Sequence, residues 1–161
     1  MEIIYHPIGV IYSPFEDITG MPIQPSAAKG ARGWVEVYPQ YEAALQDLAG
    51  FSHIYLIYHF HRSRDYQLKV TPFLDTQPRG LFATRAPRRP NPIGISVVNL
   101  ISVTANRLEI ENVDMLNGTP LLDIKPYIPD FNAQGEARLG WIEKARPQIR
   151  EKRADDRFGE K

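Results

Sequence analysis

The sequence predicts a single, mainly β domain, and three observations lead to that prediction. Its length of 161 residues, 43% of them hydrophobic, suits one ordinary domain with a core of its own. Most apolar stretches either alternate with polar residues or are rich in β-branched and aromatic residues, as strands are. Turn-forming residues separate these stretches, and only one or two short helices are expected among them.

Six stretches carry the strand pattern, and they are residues 2–12, 34–38, 51–60, 94–104, 107–113 and 120–125. Residues 51–60 (FSHIYLIYHF) are aromatic and β-branched throughout, which predicts a strand buried on both faces or the wall of a closed barrel. Residues 41–48 contain helix formers, with two leucines three apart, and we expect a short helix there. Residues 15–33 lack apolar periodicity and predict a long ordered loop, which in a small domain is usually functional or disordered.

Composition excludes several classes of protein. Lys and Arg total 19, as do Asp and Glu, so a nucleic acid or an anionic membrane would have to be held by a local patch. The chain has no cysteine, which excludes disulfides, thiolate zinc sites and cysteine nucleophiles. Neither GxGxxG nor GxxxxGK occurs, so the usual nucleotide cradles are missing. No apolar run approaches the roughly 20 residues of a membrane helix, and no signal peptide is recognisable, so we expect a cytoplasmic protein without a membrane partner.

The C-terminal end differs from the rest in composition. We expect the folded domain to cover residues 1–135 and a tail to cover 136–161. Residues 143–161 hold seven basic and five acidic side chains, which predicts a basic tail that is helical or partly disordered.

Residues 82–96 (FATRAPRRPNPIGIS) are the most unusual stretch of the chain. Their three prolines fix φ and bias the preceding residues toward extended geometry, so the stretch predicts a stiff loop that leads into a strand. Arg85, Arg88 and Arg89 would then be displayed on a preset path, which suits the binding of an anionic or planar ligand. Asn91 and Gly94 offer an amide and a place of close backbone approach.

Two further groups of polar residues are candidates for a site. Asp123, Lys125 and Tyr127 alternate onto one face of a predicted strand, which indicates either a pocket wall or a salt-linked outer face. His59 and His61 also share a strand face, but no third ligand is evident, so we expect no metal.

These stretches resemble the TsaA-like family, also called the TrmO-type tRNA methyltransferases. The resemblance is carried by FATRAPRRPNPIGIS, by NGTPLLDIKPY over residues 117–127 and by Gln24-Pro25-Ser26, and it covers about residues 1–130. It implies a β-barrel-like, non-Rossmann fold that binds S-adenosylmethionine, acts as a homodimer with the cofactor near the interface, and methylates N6 of threonylcarbamoyladenosine beside the tRNA anticodon. The family usually has Asp where this chain has Asn117.

The resemblance also implies roles for particular residues. The implied cofactor contacts are Gln24, Pro25, Ser26, His61, Arg62, Arg85, Ile95, Met115, Leu116, Asn117 and Gly118. For the transfer itself, residue type and placement, rather than the resemblance, make Asp123 the first candidate for a base, Lys125 and Tyr127 candidates for orienting the modified base, and Asn91 a candidate for a hydrogen bond to its nitrogen. Arg88 and Arg89 are candidates for binding tRNA phosphates or the threonyl carboxylate.

Two other classes remain open on the sequence. A non-catalytic RNA- or nucleotide-binding module could use the same arginine loop, and its binding of tRNA would be indifferent to S-adenosylmethionine. A hydrolase with an anionic substrate would need a nucleophile or metal constellation, and no convincing one is found.

Overall fold

Six antiparallel strands close into a barrel in the computed structural model, which describes residues 1–23, 25–132, 135, 137–149, 151–155 and 158. Including two that lie outside the barrel, the described residues form eight strands: β1 (Gly9–Tyr12), β2 (Arg32–Val37), β3 (His53–His59), β4 (Lys69–Val70), β5 (Arg79–Gly80), β6 (Ile93–Thr104), β7 (Arg107–Glu111) and β8 (Thr119–Pro126). Around the barrel the order is β1, β2, β7, β6, β3, β8, and β4 pairs with β5 in a separate small sheet. The prediction of a mainly β, barrel-like fold is confirmed.

The barrel interior is filled by every second side chain of its strands. Along β3, Ile54, Leu56 and Tyr58 are buried, whereas the residues between them are half-exposed. The expectation that this strand is buried on both faces was therefore wrong, and the alternative of a barrel wall is correct. A closed barrel has one interior, so apolar residues on the other face of the strand, such as Tyr55 and Ile57, lie on the outside.

The N-terminal strand is shorter than the sequence predicts. It covers Gly9–Tyr12, where it pairs with β2 and β8, and the expected strand over residues 2–8 is not formed. Ile3 and Ile4 are each 67% exposed, so their β-branched side chains gain nothing from burial. Pro7, which has no N–H to donate to a ladder, stands just before the pairing begins.

The helical elements are short. The predicted helix over 41–48 is a 3-10 helix at Pro39–Leu45 followed by another at Leu48–Gly50. Three more 3-10 segments lie at Pro25–Ala27, Leu81–Ala83 and Gly140–Gln148, and α1 covers Pro129–Asn132. In the part of the chain that the structure describes, no helix has the length and apolar character needed to cross a bilayer.

The described part of the C-terminal segment packs against the domain. Ala154 exchanges backbone hydrogen bonds with the long loop after β1, since its N–H donates to Met21 O at 2.9 Å and its carbonyl accepts from Gly20 N at 2.8 Å. Phe158 is buried and meets the ring of Phe73 edge-on, with centroids 5.0 Å apart. These residues therefore contribute to the core, although composition assigned them to a tail.

Candidate active site

A cavity of about 400 Å³ lies where β3 ends and β6 begins, and its size is typical of small-molecule sites. Its polar wall comes from the end of β3, the loop before β6 and the segment before β8. Its apolar wall comes from the long loop after β1, from the loop between β4 and β5 and from the C-terminal segment, through Met21, Phe73, Trp141 and Phe158. Six separate stretches of the chain therefore meet at one site.

Arg89 holds the arginine-proline loop in shape. Its Nη1 donates to the carbonyl oxygens of Thr84, at 3.0 Å, and of Ala86, at 3.3 Å. Its guanidinium also lies over the ring of Phe82, with 5.6 Å between Cζ and the ring centroid. Ser63 adds a further tie, since its hydroxyl donates to Pro87 O at 3.0 Å. The stiffness that the prolines predict is thus reinforced by hydrogen bonds across the loop.

Gly94 brings this loop close to the barrel wall. It pairs with Tyr58 of β3. A Cβ placed on it would overlap Cε2 and Cζ of the Tyr58 ring and would lie 2.9 Å from Cζ of Phe60. Glycine is required here by the close approach of an aromatic ring, and the inward-facing Tyr58 hydroxyl is positioned as a result.

A chain of three polar side chains lies behind this contact. The Ser96 hydroxyl donates to Asp114 Oδ1 at 2.7 Å and lies 3.1 Å from the Tyr58 hydroxyl. Burial raises the pKa of Asp114 to about 7, although the hydrogen bond from Ser96 and the positive charge of Arg85 work in the opposite direction. Burial, together with the nearby charge of Asp114, also raises the pKa of Tyr58. The cavity wall therefore carries a carboxyl group that titrates near neutral pH.

The tight turn before β8 is anchored to the end of β1. Gly118 has φ +75°, which glycine adopts without strain. Asn117 accepts a hydrogen bond from Ser13 N at 3.2 Å and donates through Nδ2 to Glu16 Oε1 at 2.8 Å. The Asn117 amide therefore binds the Glu16 carboxylate, whereas an aspartate at position 117 would repel it.

His61 follows β3 and faces the same cavity. Its Nδ1 lies 3.5 Å from Thr119 Oγ1, and its pKa is lowered mainly by burial and then by the charges of Arg62 and His59. A lowered pKa favours the neutral imidazole at pH 7. Arg62 forms an exposed ion pair with Asp17 at 3.6 Å. Among the described residues, no cluster of three or more His, Asp or Glu side chains could hold a metal.

Most of the residues implied as cofactor contacts lie at or beside this cavity. It is lined by His61, Arg62, Arg85, Ile95, Met115 and Leu116, while Asn117 and Gly118 form the adjoining turn. Ser26 lines a second cavity of about 360 Å³ on the outer side of β6, and this cavity shares Arg85, Ile95 and Ser96 with the first. Pro25 begins a 3-10 helix, and Gln24 lies outside the described residues.

The residues predicted for catalysis lie elsewhere. Asp123 and Lys125 form an ion pair of 2.8 Å, both are substantially exposed, and neither lines either cavity. The Tyr127 ring meets Tyr55 edge-on at 5.4 Å on the outer side of the barrel, which is the salt-linked outer face that the sequence left open. Asn91 is an exposed residue of the loop before β6 and lines neither cavity, and Arg88 is half-buried outside the cavity lining, whereas Arg89 lines the first cavity. Their assigned roles stay predictions.

Sequence reasoning missed the polar chain and the apolar wall. Ser96 lies on the inward parity of β6 with Gly94 and Val98, which is a detectable signal for a buried hydroxyl. Asp114 stands between the apolar residues Val113 and Met115, both buried, and an isolated carboxyl in such a setting is a second signal. The positions of Trp141 and Phe158 in the cavity wall could not be predicted from local sequence, because both contact residues that are distant in sequence, such as Ala83 and Phe73.

The fold and the site together define a class. All described strand pairs of the barrel are antiparallel, and the ligand-sized cavity sits against a rigid arginine-proline loop, so this is a β-barrel small-molecule site of the non-Rossmann kind.

Sequence comparison then gives the family. Residues 10–133 match the tRNA-methyltransferase O N-terminal domain, and the chain belongs to that family.

Relatives and solved structures agree with this membership. A Pyrococcus abyssi protein named "Probable S-adenosyl-L-methionine-binding protein" is 53% identical over 158 residues, covering 98% of this chain and 86% of its own length. The tRNA (adenine(37)-N6)-methyltransferase of Rattus norvegicus is 36% identical over 139 residues, covering 82% of this chain and 32% of its own. The crystal structure of TrmO from Pseudomonas aeruginosa superposes with a TM-score of 0.74 at 40% identity, covering 89% of this chain and 62% of that one. The chain thus spans less than two thirds of that solved structure and about a third of the rat enzyme.

Proposed function

We propose that this protein is an S-adenosylmethionine-dependent methyltransferase that methylates N6 of a tRNA adenosine beside the anticodon. The observation that carries the proposal is the meeting of the arginine-proline loop, the end of β3 and the turn before β8 at one cavity of about 400 Å³. Family membership and the names of the relatives support the same activity.

The cavity fits the proposed methyl donor in size and in chemistry. S-adenosylmethionine has an apolar purine face, charged amino and carboxyl groups and a sulfonium cation. The cavity offers aromatic and aliphatic surface and the cation Arg85. The residues that would hold the donor are those implied by the family resemblance, with Arg85 and Ile95 on one side and His61, Met115 and Leu116 on the other. The donor supplies an activated methyl group, and the protein supplies the alignment.

The chain's own contribution to the transfer is chiefly positioning. A rigid loop and a turn anchored to β1 fix the walls of the site, which lowers the entropic cost of bringing two reactants into line. Apolar side chains such as Phe73 and Trp141 limit access of water on one side of the cavity, and this strengthens the electrostatic interactions inside it.

The finer substrate is N6-threonylcarbamoyladenosine. Its threonyl carboxylate and the neighbouring phosphates are anions, and arginines recognise such groups by paired hydrogen bonds. The position of Arg89 in the cavity lining supports its assignment to these anions, and Arg88, its neighbour in sequence, is assigned with it. Because tRNA is the substrate, we place the protein in the cytoplasm.

The proposal includes a homodimer with the cofactor near the interface. On the outer face of β6, Ile93, Ile95 and Ile101 are 38%, 45% and 53% exposed, which is a row of apolar side chains without cover in the single chain. Ile95 and Arg85 also line both cavities, so a second copy seated on this face would adjoin the site. Light scattering at micromolar concentration tests this part, and a monomeric mass would refute it.

The activity is tested with tRNA that carries or lacks the threonylcarbamoyl group. We expect nucleoside mass analysis to show the gain of one methyl group on the modified adenosine, and only when S-adenosylmethionine is present. Binding of tRNA that does not depend on S-adenosylmethionine, without any gain in mass, would instead support the non-catalytic binding module.

A gain on unmodified adenosine alone would retain the activity and refute the finer substrate. Both tRNA preparations are therefore assayed side by side, with a reaction that lacks the methyl donor as the common control.

A further inference from the structure

The polar chain of Tyr58, Ser96 and Asp114 has a defined direction. Ser96 carries one hydroxyl hydrogen, which it donates to Asp114 Oδ1 at 2.7 Å. While Asp114 is ionised, the Tyr58 hydroxyl, 3.1 Å away, therefore donates to Ser96. Both hydroxyl protons point along the chain toward the carboxyl group, so Asp114 is the terminal acceptor.

Asp114 is also singular within the cavity. Among the described residues that line it, Asp114 is the one carboxyl group and His61 the one imidazole. The neighbouring charged group is Arg85, on the loop before β6, and the neighbouring titratable group is Tyr58, on β3. Asp123, by contrast, is paired with Lys125 on the outside of the barrel.

We propose that the carboxylate of Asp114 accepts the N6 proton of the adenosine during methyl transfer. The inference rests on the proposed function. The nitrogen lone pair forms the new N–CH₃ bond as the S–CH₃ bond breaks, and the electron pair of that bond stays on sulfur, which becomes a neutral thioether. The proton leaves nitrogen for Asp114 and then passes to solvent, so no other reactant is needed.

The chemistry of the nucleophile requires such an acceptor. An N6 nitrogen between a purine ring and a carbamoyl carbonyl has a delocalised lone pair, and it becomes a better nucleophile as its proton is removed. A carboxyl group whose pKa is about 7 suits this task near neutral pH, because it is partly ionised there and is a stronger base than an ordinary aspartate.

Ser96 and Tyr58 are positioning residues in this proposal. The Ser96 hydrogen bond stabilises the ionised form of Asp114 and so lowers its pKa from the value that burial alone would give. Tyr58 fixes the Ser96 hydroxyl and is itself held by the close packing of Gly94.

The principal test compares the wild type with Asp114→Asn, which keeps the shape and removes the base. We expect single-turnover methyl transfer to tRNA to fall by about 10²- to 10⁴-fold, and S-adenosylmethionine binding, measured by calorimetry, to stay roughly unchanged. Glu109→Gln is the matched control, because Glu109 is a carboxylate paired with Arg107 on β7 and lies outside the cavity lining.

A second arm does not depend on turnover. Carbon-13 NMR of the carboxyl groups in the cofactor-free protein should show a resonance that titrates near pH 7, that is absent in Asp114→Asn and that moves to higher pH in Ser96→Ala. The rising limb of the single-turnover rate against pH should move in the same direction in Ser96→Ala.

Three outcomes overturn the proposal. The first is turnover of Asp114→Asn at the wild-type rate, the second is a loss of S-adenosylmethionine affinity in that variant as large as its loss of rate, and the third is a Ser96→Ala rate profile that coincides with that of the wild type. A large loss in Asp123→Asn with normal Asp114→Asn would return the role to Asp123. If the wild type itself transfers no methyl group, the proposed function fails together with this role, and the wild-type arm identifies that case.

Discussion

Replacing Asp114 by asparagine should stabilise the protein at alkaline pH and have much less effect at acid pH. The folded protein raises the pKa of this carboxyl from 3.8 to about 7, so between these values the folded state holds a proton that the unfolded state has released. Stability from this group is therefore greatest at acid pH and is lost as the pH rises from about 4 to about 7. Asparagine stays neutral throughout and does not incur the loss.

The size of the effect follows from the shift in pKa. Each pKa unit corresponds to about 1.4 kcal/mol. The shift from 3.8 to about 7 therefore sets an upper bound of about 4 kcal/mol on the amount by which the substitution raises the free energy of unfolding at alkaline pH. The side chain is partly accessible from the cavity, and water there reduces the burial penalty, so we expect about 2–4 kcal/mol.

Urea unfolding of the wild type and Asp114→Asn, measured at pH 4.5 and pH 8, checks this expectation. The difference in free energy of unfolding between the two proteins should be larger at pH 8 in favour of the variant. Using the difference removes the contributions of other carboxyl groups, such as Asp75, whose pKa is lowered mainly by a hydrogen bond from Gln77 N–H. Two curves that stay parallel across this pH range would refute the assignment of a raised pKa to Asp114.

Two other substitutions probe the walls of the site. Gly94→Ala places a methyl group where it overlaps the Tyr58 ring. We expect urea unfolding to show about 1–3 kcal/mol of destabilisation and calorimetry to show weaker S-adenosylmethionine binding. The control Gly80→Ala, where a Cβ meets nothing within 4 Å, should be nearly neutral. An unchanged Gly94→Ala midpoint would contradict the close-packing argument. Asn117→Asp should cost about 1 kcal/mol, because the hydrogen bond to Glu16 becomes a repulsion, and Glu16→Gln should restore most of it in a double-mutant cycle. Additive effects of these two changes would show that the residues are not coupled.

Much of the fold follows from local sequence pattern. The alternation in WVEVY and RLEIE predicts β2 and β7, and the strand over 94–104 is found at Ile93–Thr104. These predictions succeed because a half-buried strand repeats every two residues whatever its partners are. Local sequence left two alternatives open for the strand over 51–60, burial on both faces or a barrel wall, because apolar outer residues of a barrel resemble core residues.

Some features of the candidate site likewise follow from local sequence, and others do not. Proline and glycine fix backbone geometry within a few residues, so the stiff loop before β6 and the tight turn at Gly118 can be predicted from sequence. The burial and the partners of a polar side chain cannot be predicted in this way, because they depend on residues that are distant in sequence. Asp123 and Asp114 are both aspartates beside apolar residues, yet Asp123 is paired with Lys125 in solvent, whereas Asp114 is half-buried in the cavity wall and hydrogen-bonded to Ser96.

The sequence by itself determined the mainly β fold, the stiff arginine-proline loop and, through its motifs, the family. Tertiary structure alone decided which carboxyl faces the cavity, and it placed the C-terminal Trp141 and Phe158 in the cavity wall. The physical reason is the range of the interactions. Periodicity and turn chemistry act over a few neighbouring residues, whereas desolvation and packing depend on the contacts that close the barrel, between residues up to about a hundred positions apart, such as Ser13 with Met115.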